Sequence, residues 1–324
     1  MKLPASIAST ILLAATSLAA FVVAAQTYPT KPLRVVVPYS VGTPPDIVTR
    51  LIADKMTAGL GQPVVVDNRP GATGTVGLSE LERQSADGYT LYDMLLPVSV
   101  APALYPQLSL DFKKVMEPVG QFTWYYNVLV VHPDVKATIV KELVELLKKG
   151  QGNYSFASGG NGTPAHLSAE LFKLQANVKA THIPYNQFPQ GIADLVAGRV
   201  QFMFLTSSVS VPLIQSGRVR ALATTGSERL AALPSVPTMI EEGYRDFLVR
   251  GWDGLVVKVG TSREIIERLN AELAKAVATP EVRTRFAALG VEPVSGSPKE
   301  FGDLIASEVA RWSRVVREAE IKAD

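Results

Sequence analysis

The stretch that decides the fold is LRVVVPYSVGTPPDIVTR, residues 33–50. Its apolar start predicts a buried strand, which Pro38 ends because proline has no N–H for a sheet ladder. Gly42 permits a positive φ, and Pro44 and Pro45 suit the first turn of a helix, where a missing N–H has no intrahelical partner. A strand, a tight loop and a helix N-terminus together form a site for an anion. A well-capped helix without a ligand is the alternative interpretation.

This predicted helix, residues 45–60, has Ile47, Leu51, Ile52 and Met56 on one face and is expected to end at Gly61. Asp46 falls in its first turn. A carboxylate there interacts favourably with the helix dipole. We interpret Asp46 as an organiser of its own loop rather than a ligand contact, because a bare carboxylate would repel an anion.

A second loop of the same kind lies in NYSFASGGNGTPAHLSAELF, residues 153–172. An apolar strand runs into Ser158–Thr163, whose three glycines allow backbone N–H groups to turn toward a ligand. Thr163 is predicted to cap the next helix and Pro164 to occupy its first position. His166 lies one turn further on, and the sequence leaves open whether it packs, caps or contacts a ligand.

The N-terminal segment has the composition of an export signal. Lys2 is followed by an apolar stretch from Ile7 to Val23 and then by small residues. This pattern predicts a secretory signal peptide cleaved after Ala25, and an uncleaved anchor helix is the alternative. No later segment is apolar for long enough to span a bilayer, so we expect a soluble mature protein.

Charge and composition exclude several classes of protein. Residues 26–324 carry 31 basic and 30 acidic side chains, which leaves no basic excess for nucleic acid. The chain has no cysteine, and His132, His166 and His182 show no metal-ligand spacing. The glycines at 71, 74 and 77 do not have dinucleotide-binding spacing, and no G-x-S-x-G motif is present. We therefore predict no cofactor, no metal and no enzymatic activity.

Strands and helices alternate along almost the whole chain. Valine-rich strands in such an alternation predict an α/β fold with parallel sheets covered on both faces. The 299 residues after the signal peptide exceed a usual single domain, and no Pro/Gly/Ser-rich linker separates two halves. We therefore predict two lobes joined by short crossing strands, with the ligand beyond the carboxyl ends of the strands.

The motifs taken together resemble the periplasmic solute-binding proteins of tripartite tricarboxylate transporters, the TctC or Bug family. The resemblance covers essentially the whole mature chain. The matching stretches are YPTKPLRVVVPYSVG, DIVTRLIADKM, LGQPVVVDNRPGATGTVG, DGYTLY, GNGTPAHLSAELFK, HIPYN, LVAGRVQFMF, IQSGRVRALATTG, LPSVPTM, GW with Gly254, LNAELAKA and EVARWSRVVREA.

This resemblance implies a two-lobed fold similar to type II periplasmic binding proteins, each lobe a sheet flanked by helices, closing on a ligand. The expected lobes are residues 27–127 plus 247–324, and 128–246. Two loops are expected to hold a carboxylate, largely through backbone amides. The implied ligand-binding residues are Tyr39, Ser40, Val41, Gly42, Thr43, Asp46, Trp124, Ser158, Gly159, Asn161, Gly162, Thr163, His166, Tyr185 and Thr206.

Two segments depart from the family pattern. Thr43 stands where a second glycine is usual, and Pro44 and Pro45 follow it. The segment DMLLPVSV, residues 93–100, is more apolar than usual. With Trp124 and its aromatic neighbours Phe122, Tyr125 and Tyr126, it favours an aromatic or long apolar carboxylate, unless these rings only pack at the hinge.

The expected partners are a small carboxylate and the membrane permease subunits of a tripartite tricarboxylate-type transporter, and we expect a monomer in the periplasm. Two other functions remain open from the sequence. One is a periplasmic ligand sensor for a receptor kinase, and the other is a secreted α/β hydrolase, which turnover of an ester or amide would reveal.

Overall fold

A computed structural model describes residues 28–150, 152–185 and 188–322 of the chain. The predicted signal peptide and its cleavage after Ala25 lie outside these residues. The strands are β1 (Leu33–Val37), β2 (Val64–Asn68), β3 (Thr90–Leu95), β4 (Met116–Val131), β5 (Ser155–Ser158), β6 (Thr181–Pro184), β7 (Phe202–Thr206), β8 (Arg220–Thr224), β9 (Arg250–Lys258) and β10 (Val291–Pro293).

The helices are α1 (Pro44–Leu60), α2 (Thr75–Glu82), α3 (Leu96–Leu104), α4 (Phe112–Val115), α5 (Val140–Gly150), α6 (Pro164–Ala176), α7 (Phe188–Val196), α8 (Ser207–Gln215), α9 (Arg263–Ala278), α10 (Pro280–Ala288) and α11 (Pro298–Glu318). Single 3₁₀ turns lie at Ala72–Gly74 and Pro106–Leu108.

The predicted start and end of α1 are confirmed, but its buried face differs from the prediction. The helix begins at the two prolines, and Gly61 ends it at φ 68° by donating its N–H to the Thr57 carbonyl. We predicted that Ile47 would lie on the buried face, yet Ile47 is 41% exposed. The sheet is instead covered by residues at i, i+4 and i+8, namely Val48, Ile52 and Met56.

The strands form two sheets that share β4. In the first sheet, β1 lies between β2 and β3, all parallel, and β9 and then β4 follow antiparallel. In the second sheet, β4 pairs antiparallel with β7 and β8, while β5 and β6 continue parallel from β7. The expectation of parallel sheets is therefore wrong, because β9 returns beside β3 in the opposite direction.

One strand crosses between the two sheets. The first part of β4, up to Tyr126, pairs with β9 in the first sheet, and Asn127 opens the pairing with β7 in the second. Thr225 ties this crossing to the returning chain: its hydroxyl accepts from the Asn127 N–H at 3.0 Å and donates to the Val249 carbonyl at 2.6 Å. The predicted α/β fold with two lobes is confirmed, with the 16-residue β4 crossing between them, and the residue boundaries of the lobes stay a prediction.

Helices cover both faces of the sheets. One apolar core lies between the first sheet and α1, α9 and α10 and includes Ile52, Phe122 and Phe286. On the other face, Trp252 packs edge-on against Phe301 of α11 with ring centroids 5.5 Å apart. Burying such a side chain stabilises the fold by roughly 1.5–3 kcal/mol. The cleft opens beyond the carboxyl ends of β1 and β3, beside the middle of β4, where that strand changes sheets.

Candidate functional site

A cavity of about 190 Å³ lies between the two glycine-containing loops, at the carboxyl ends of β1 and β5. Its lining residues come from both sides of the cleft and are mainly apolar. They are Tyr39, Thr43, Pro44, Pro45, Val48, Leu95, Pro97, Tyr125, Asn127, Gly159, Thr163, Pro164, Ala165, Phe188, Thr206, Ser208, Asp253, Leu289 and Val291. This set contains no lysine, arginine or histidine.

Two helix N-termini converge on the cavity. The first residues of α1, Pro44 and Pro45, and those of α6, Pro164 and Ala165, all line it. Prolines have no N–H, so the first backbone donor of α1 belongs to Asp46 and that of α6 to Ala165. The exposed donors and the dipole of a helix N-terminus favour an anion. The two loops therefore face each other across the cleft, as the sequence predicts.

The first loop is held by Asp46. The Gly42 N–H donates to Asp46 Oδ2 at 2.9 Å, and Asn68 Nδ2 donates to Asp46 Oδ1 at 2.8 Å. Arg50 makes an ion pair with the same carboxylate at 2.9 Å. Burial acts to raise the pKa of Asp46, but these hydrogen bonds outweigh it and hold the pKa below its ordinary value of 3.8. Asp46 thus organises the loop.

The second loop is held by its own side chains and by two histidines. Gly160 donates its N–H to Ser158 Oγ at 3.1 Å, and Ser158 Oγ lies 2.6 Å from His182 Nε2. The Gly162 N–H donates to His166 Nδ1 at 3.1 Å, and His166 Nε2 lies 3.6 Å from Glu170 Oε1. Burial lowers the pKa of His182 to about 3, so its ring is neutral. The loop is therefore preformed.

Thr163 occupies the predicted N-cap position of α6 and Pro164 its first position, but neither Thr43 nor Thr163 caps its helix through its side chain. Each hydroxyl instead donates to the carbonyl three residues earlier. Thr43 Oγ1 donates to Ser40 at 2.7 Å, and Thr163 Oγ1 donates to Gly160 at 2.8 Å. The two hydroxyl groups close the loops and still lie at the cavity wall.

An acid pair lies at the inner end of the cavity. Asp253 of β9 lines the cavity and is 1% exposed, and Asp93 of β3 is fully buried. Asp253 lies opposite Leu95, and Asp93 opposite Leu255, so the two carboxyl groups are diagonal neighbours on one face of the sheet. Thr49 donates to Asp93 Oδ2 at 2.8 Å.

Burial raises the pKa of both carboxyl groups. The pKa of Asp253 rises from its ordinary 3.8 to about 7. For Asp93 burial is again the larger cause, and repulsion by Asp253 raises its pKa further. The pair therefore holds at least one proton at neutral pH.

The structure brings together some of the residues predicted to bind ligand. Tyr39, Thr43, Gly159, Thr163 and Thr206 line the cavity. The other predicted residues lie outside the lining: Ser40, Val41, Gly42, Asp46, Trp124, Ser158, Asn161, Gly162, His166 and Tyr185.

Specific contacts account for the two aromatic residues outside the lining. The Arg250 guanidinium lies 3.9 Å from the ring centroid of Trp124. The Tyr185 hydroxyl donates to Asp194 Oδ2 at 2.7 Å. Of the aromatic residues near the crossing, Tyr125 is the one that lines the cavity, while Phe122 is buried in the core. Ligand contact by the predicted residues stays a prediction.

Sequence reasoning missed the inner wall of the cavity. Asn127 and Asp253 reach it through strand pairing, beside Tyr125, which the sequence had suggested, and Leu289 and Val291 reach it through the return of the chain to β4. One signal was available: Asp253 interrupts the apolar run RGWDGLVV. A carboxylate in a buried strand is costly unless it is paired or protonated, so it marks a candidate functional site.

The cleft is closed at two places around the cavity. Ser207 Oγ on α8 donates to the Gly290 carbonyl at 2.8 Å. At the second place, a Cβ on Gly162 would lie 2.9 Å from Leu104 Cδ1 and 3.5 Å from Thr73 Cγ2. Gly162 therefore forms part of the contact between the two sides rather than the cavity wall.

The described residues contain neither a metal-binding cluster nor a membrane-spanning helix. No group of three or more His, Cys, Asp or Glu residues there is placed to hold a metal ion. Within the same part of the chain, no helix has both the length and the apolar character needed to cross a bilayer.

Known proteins are similar to this chain in both sequence and fold. The family model of the tripartite tricarboxylate transporter family receptor, TctC, matches residues 48–321. The structure of the periplasmic binding protein BugD is 31% identical with a TM-score of 0.79, covering 92% of this chain and all of that one.

Two similar structures from Rhodopseudomonas palustris contain ligands. Rpa4515 with adipate is 30% identical, with a TM-score of 0.81, and covers 92% of this chain and all of that one. MatC with bound malate is 31% identical, with a TM-score of 0.79, and covers 89% of this chain and all of that one.

The match to the family model extends over most of the chain, and the fold agrees with periplasmic binding proteins over nearly its whole length. The family consists of solute-binding proteins of the periplasm, not of enzymes. The chain belongs to the TctC family of tripartite tricarboxylate transporter receptors, as its sequence motifs predict.

Proposed function

We propose that this chain is an extracytoplasmic solute-binding protein that captures a small carboxylate in the cleft between its two sheets. The observation that carries the proposal is the convergence of the α1 and α6 N-termini on one otherwise apolar cavity. Adipate in Rpa4515 and malate in MatC support a carboxylate as the ligand class. An anion in this cavity would be held by amides and hydroxyl groups, because the lining contains no cation.

The residues divide into two roles under this proposal. Thr43, Thr163 and Thr206 contact the carboxylate together with the first amides of α1 and α6. Asp46 and His166 position the two loops, since each accepts a hydrogen bond from a loop glycine N–H. The apolar walls, including Tyr125 and Phe188, accommodate the rest of the ligand.

The family match supports the cellular role that we propose. The protein is exported to the periplasm after cleavage at Ala25, acts as a monomer, and delivers its ligand to the permease subunits of a tripartite tricarboxylate-type transporter. Its lobes are residues 27–127 plus 247–324, and 128–246. The change of strand partner between Tyr126 and Asn127 supports this boundary.

A thermal-shift screen of mono-, di- and aromatic carboxylates tests the proposal. A ligand at a hundred times its Kd stabilises the native state by about 2.7 kcal/mol. We expect a clear rise of Tm with at least one carboxylate and none with the corresponding amide or alcohol. Stabilisation by uncharged analogues alone, or steady turnover of an ester or amide, would contradict carboxylate capture.

A further inference from the structure

We propose that Asp253 is a specificity-determining residue that binds a cationic nitrogen of the ligand, so that the captured carboxylate also carries an amino group at its far end. This inference rests on the proposed function, since it assigns the second end of the same ligand. It concerns Asp253 in the cavity wall, whose carboxylate is opposite in sign to the positive ends of the two helix dipoles.

The first observation is a buried acceptor atom without a partner. Asp253 is 1% exposed and lines the cavity, and Thr123 Oγ1 lies 3.4 Å from its Oδ2. In the described part of the chain, Asp253 Oδ1 has no hydrogen-bond partner. A buried polar atom left unpaired is costly, and far more so when it belongs to a carboxylate. A donor supplied by the ligand removes that cost.

The second observation is the charge of everything that faces Asp253. Asp93 lies beside it on β3. Thr49 of α1 donates a hydrogen bond to Oδ2 of Asp93. The titratable groups of the loop after β1 and of β4 that interact with Asp253 are Tyr39 and Tyr125, and both are acids. Among the described residues, none that lines the cavity supplies a positive counter-charge to Asp253.

These observations favour a cation over a second carboxylate. A dicarboxylate would bring a third acid to an apolar place that already holds two, where repulsion is weakly screened. An ammonium group gives Asp253 both a donor and a counter-charge, and charge-assisted hydrogen bonds are the strong ones. Repulsion by Asp253 raises the pKa of Asp93, so Asp93 keeps its proton as Asp253 ionises, and the pair presents one negative charge to the ligand.

The test uses ligands that differ only at the far end. Calorimetry at about pH 8, above the pKa of Asp253, compares hexanoate, 6-aminohexanoate and adipate. A parallel rigid series is 4-methylbenzoate, 4-(aminomethyl)benzoate and terephthalate. In at least one series the amine should bind at least about tenfold more tightly than both counterparts, as expected for a charge-assisted hydrogen bond.

Variants then test whether Asp253 causes the preference for the amine. Asp253→Asn should abolish the preference for the amine and leave the affinity for the methyl counterpart within about twofold. Asp134→Asn is the matched control, since the Asp134 side chain is 92% exposed, and it should behave like the parent. The preference should fade toward about pH 5.5 in the parent as Asp253 gains its proton.

The possible outcomes separate the two proposals. Tighter binding of adipate or terephthalate that Asp253→Asn abolishes would show a protonated Asp253 donating to a carboxylate, and would overturn the inference. Binding of carboxylates without any preference at the far end, or failure of every amine to bind, would also overturn it. Asp253-dependent binding of hexylamine as tight as that of 6-aminohexanoate would support the inference and contradict carboxylate capture.

Discussion

Ser207 of α8 and Gly290 of the turn before β10 are joined by a hydrogen bond across the cleft, 2.8 Å from hydroxyl to carbonyl oxygen. The approach is close, because a Cβ on Gly290 would lie 2.9 Å from the Ser208 nitrogen. Ser208 and Leu289, their neighbours in sequence, line the cavity. Closure of the cleft and formation of the cavity wall are therefore coupled at this point.

Ser207→Ala should weaken ligand binding by about fivefold, because one net hydrogen bond of the closed form, worth about 1 kcal/mol, is lost. Calorimetry with the ligand found by screening measures this. Ser216→Ala is the matched control, since that hydroxyl donates within its own helix end. Equal affinity of the two variants would show that the contact does not contribute to the bound state.

Gly162→Val should weaken binding by about tenfold, or about 1.4 kcal/mol, because its side chain would meet the buried Leu104 across the cleft. Gly160→Val is the matched control: Gly160 also has a positive φ, 109° against 75°, but a Cβ there meets no atom within 4 Å. Both variants should lose stability through backbone strain. Similar affinities in the two variants would mean that strain in the loop, not closure, explains the loss.

Asp46→Asn should lower the free energy of unfolding by about 2 kcal/mol at pH 7, because the Gly42 and Asn68 donors and Arg50 lose a buried carboxylate. The pKa of Asp46 lies below its ordinary 3.8 in the folded protein. Its contribution is therefore present above that pH and is lost as the pH falls through the folded pKa.

Urea unfolding of the parent and the Asp46→Asn variant from pH 7 to about pH 3 measures this difference. Asp54→Asn, a change on the same helix at a side chain that is 71% exposed, is the control. A difference between parent and Asp46→Asn that stays constant over the whole range would contradict the role of the carboxylate.

Asp253 should have the opposite pH dependence. Its pKa is raised from 3.8 to about 7 by burial, so its contribution to stability is fully present below about pH 4 and is lost as the pH rises toward 7. Relative to Asp253→Asn, the parent should therefore lose stability between about pH 4 and pH 7. Thermal unfolding of the two proteins across this range measures the difference. If the parent gains stability over the same interval, Asp253 is ionised in the folded protein and its charge is stabilised by its surroundings.

Local signals predicted much of the fold. The alternation of strands and helices, the start of α1 at its prolines and its end at Gly61 depend on residues close in sequence. The direction of β9 does not, because it is set by pairing with β3, more than a hundred residues away. The three residues of β10 become a strand only by pairing with β4. The helix α3 contains Pro102 and was not predicted, since proline usually disfavours a helix interior.

The sequence predicted the two loops of the site but not the strand residues of its inner wall. Both loops carry their own signals in glycine, proline and threonine, and the structure places them face to face. The inner wall was not predictable, because Asp253 reaches Thr123 and Asp93 only once three separate strands are side by side. Which loop groups face the cavity also depended on local hydrogen bonds, such as the one between Gly162 and His166.

The measurement that tests the central claim most directly is a crystal structure of the protein with the tightest carboxylate from the screen. We predict that the carboxylate lies between the first turns of α1 and α6, within hydrogen-bond distance of the Asp46 and Ala165 amides and of Thr43 or Thr163. The rest of the ligand should extend past Tyr125 toward Asp253. A ligand bound elsewhere, or one whose carboxylate points away from both helix N-termini, would contradict the account.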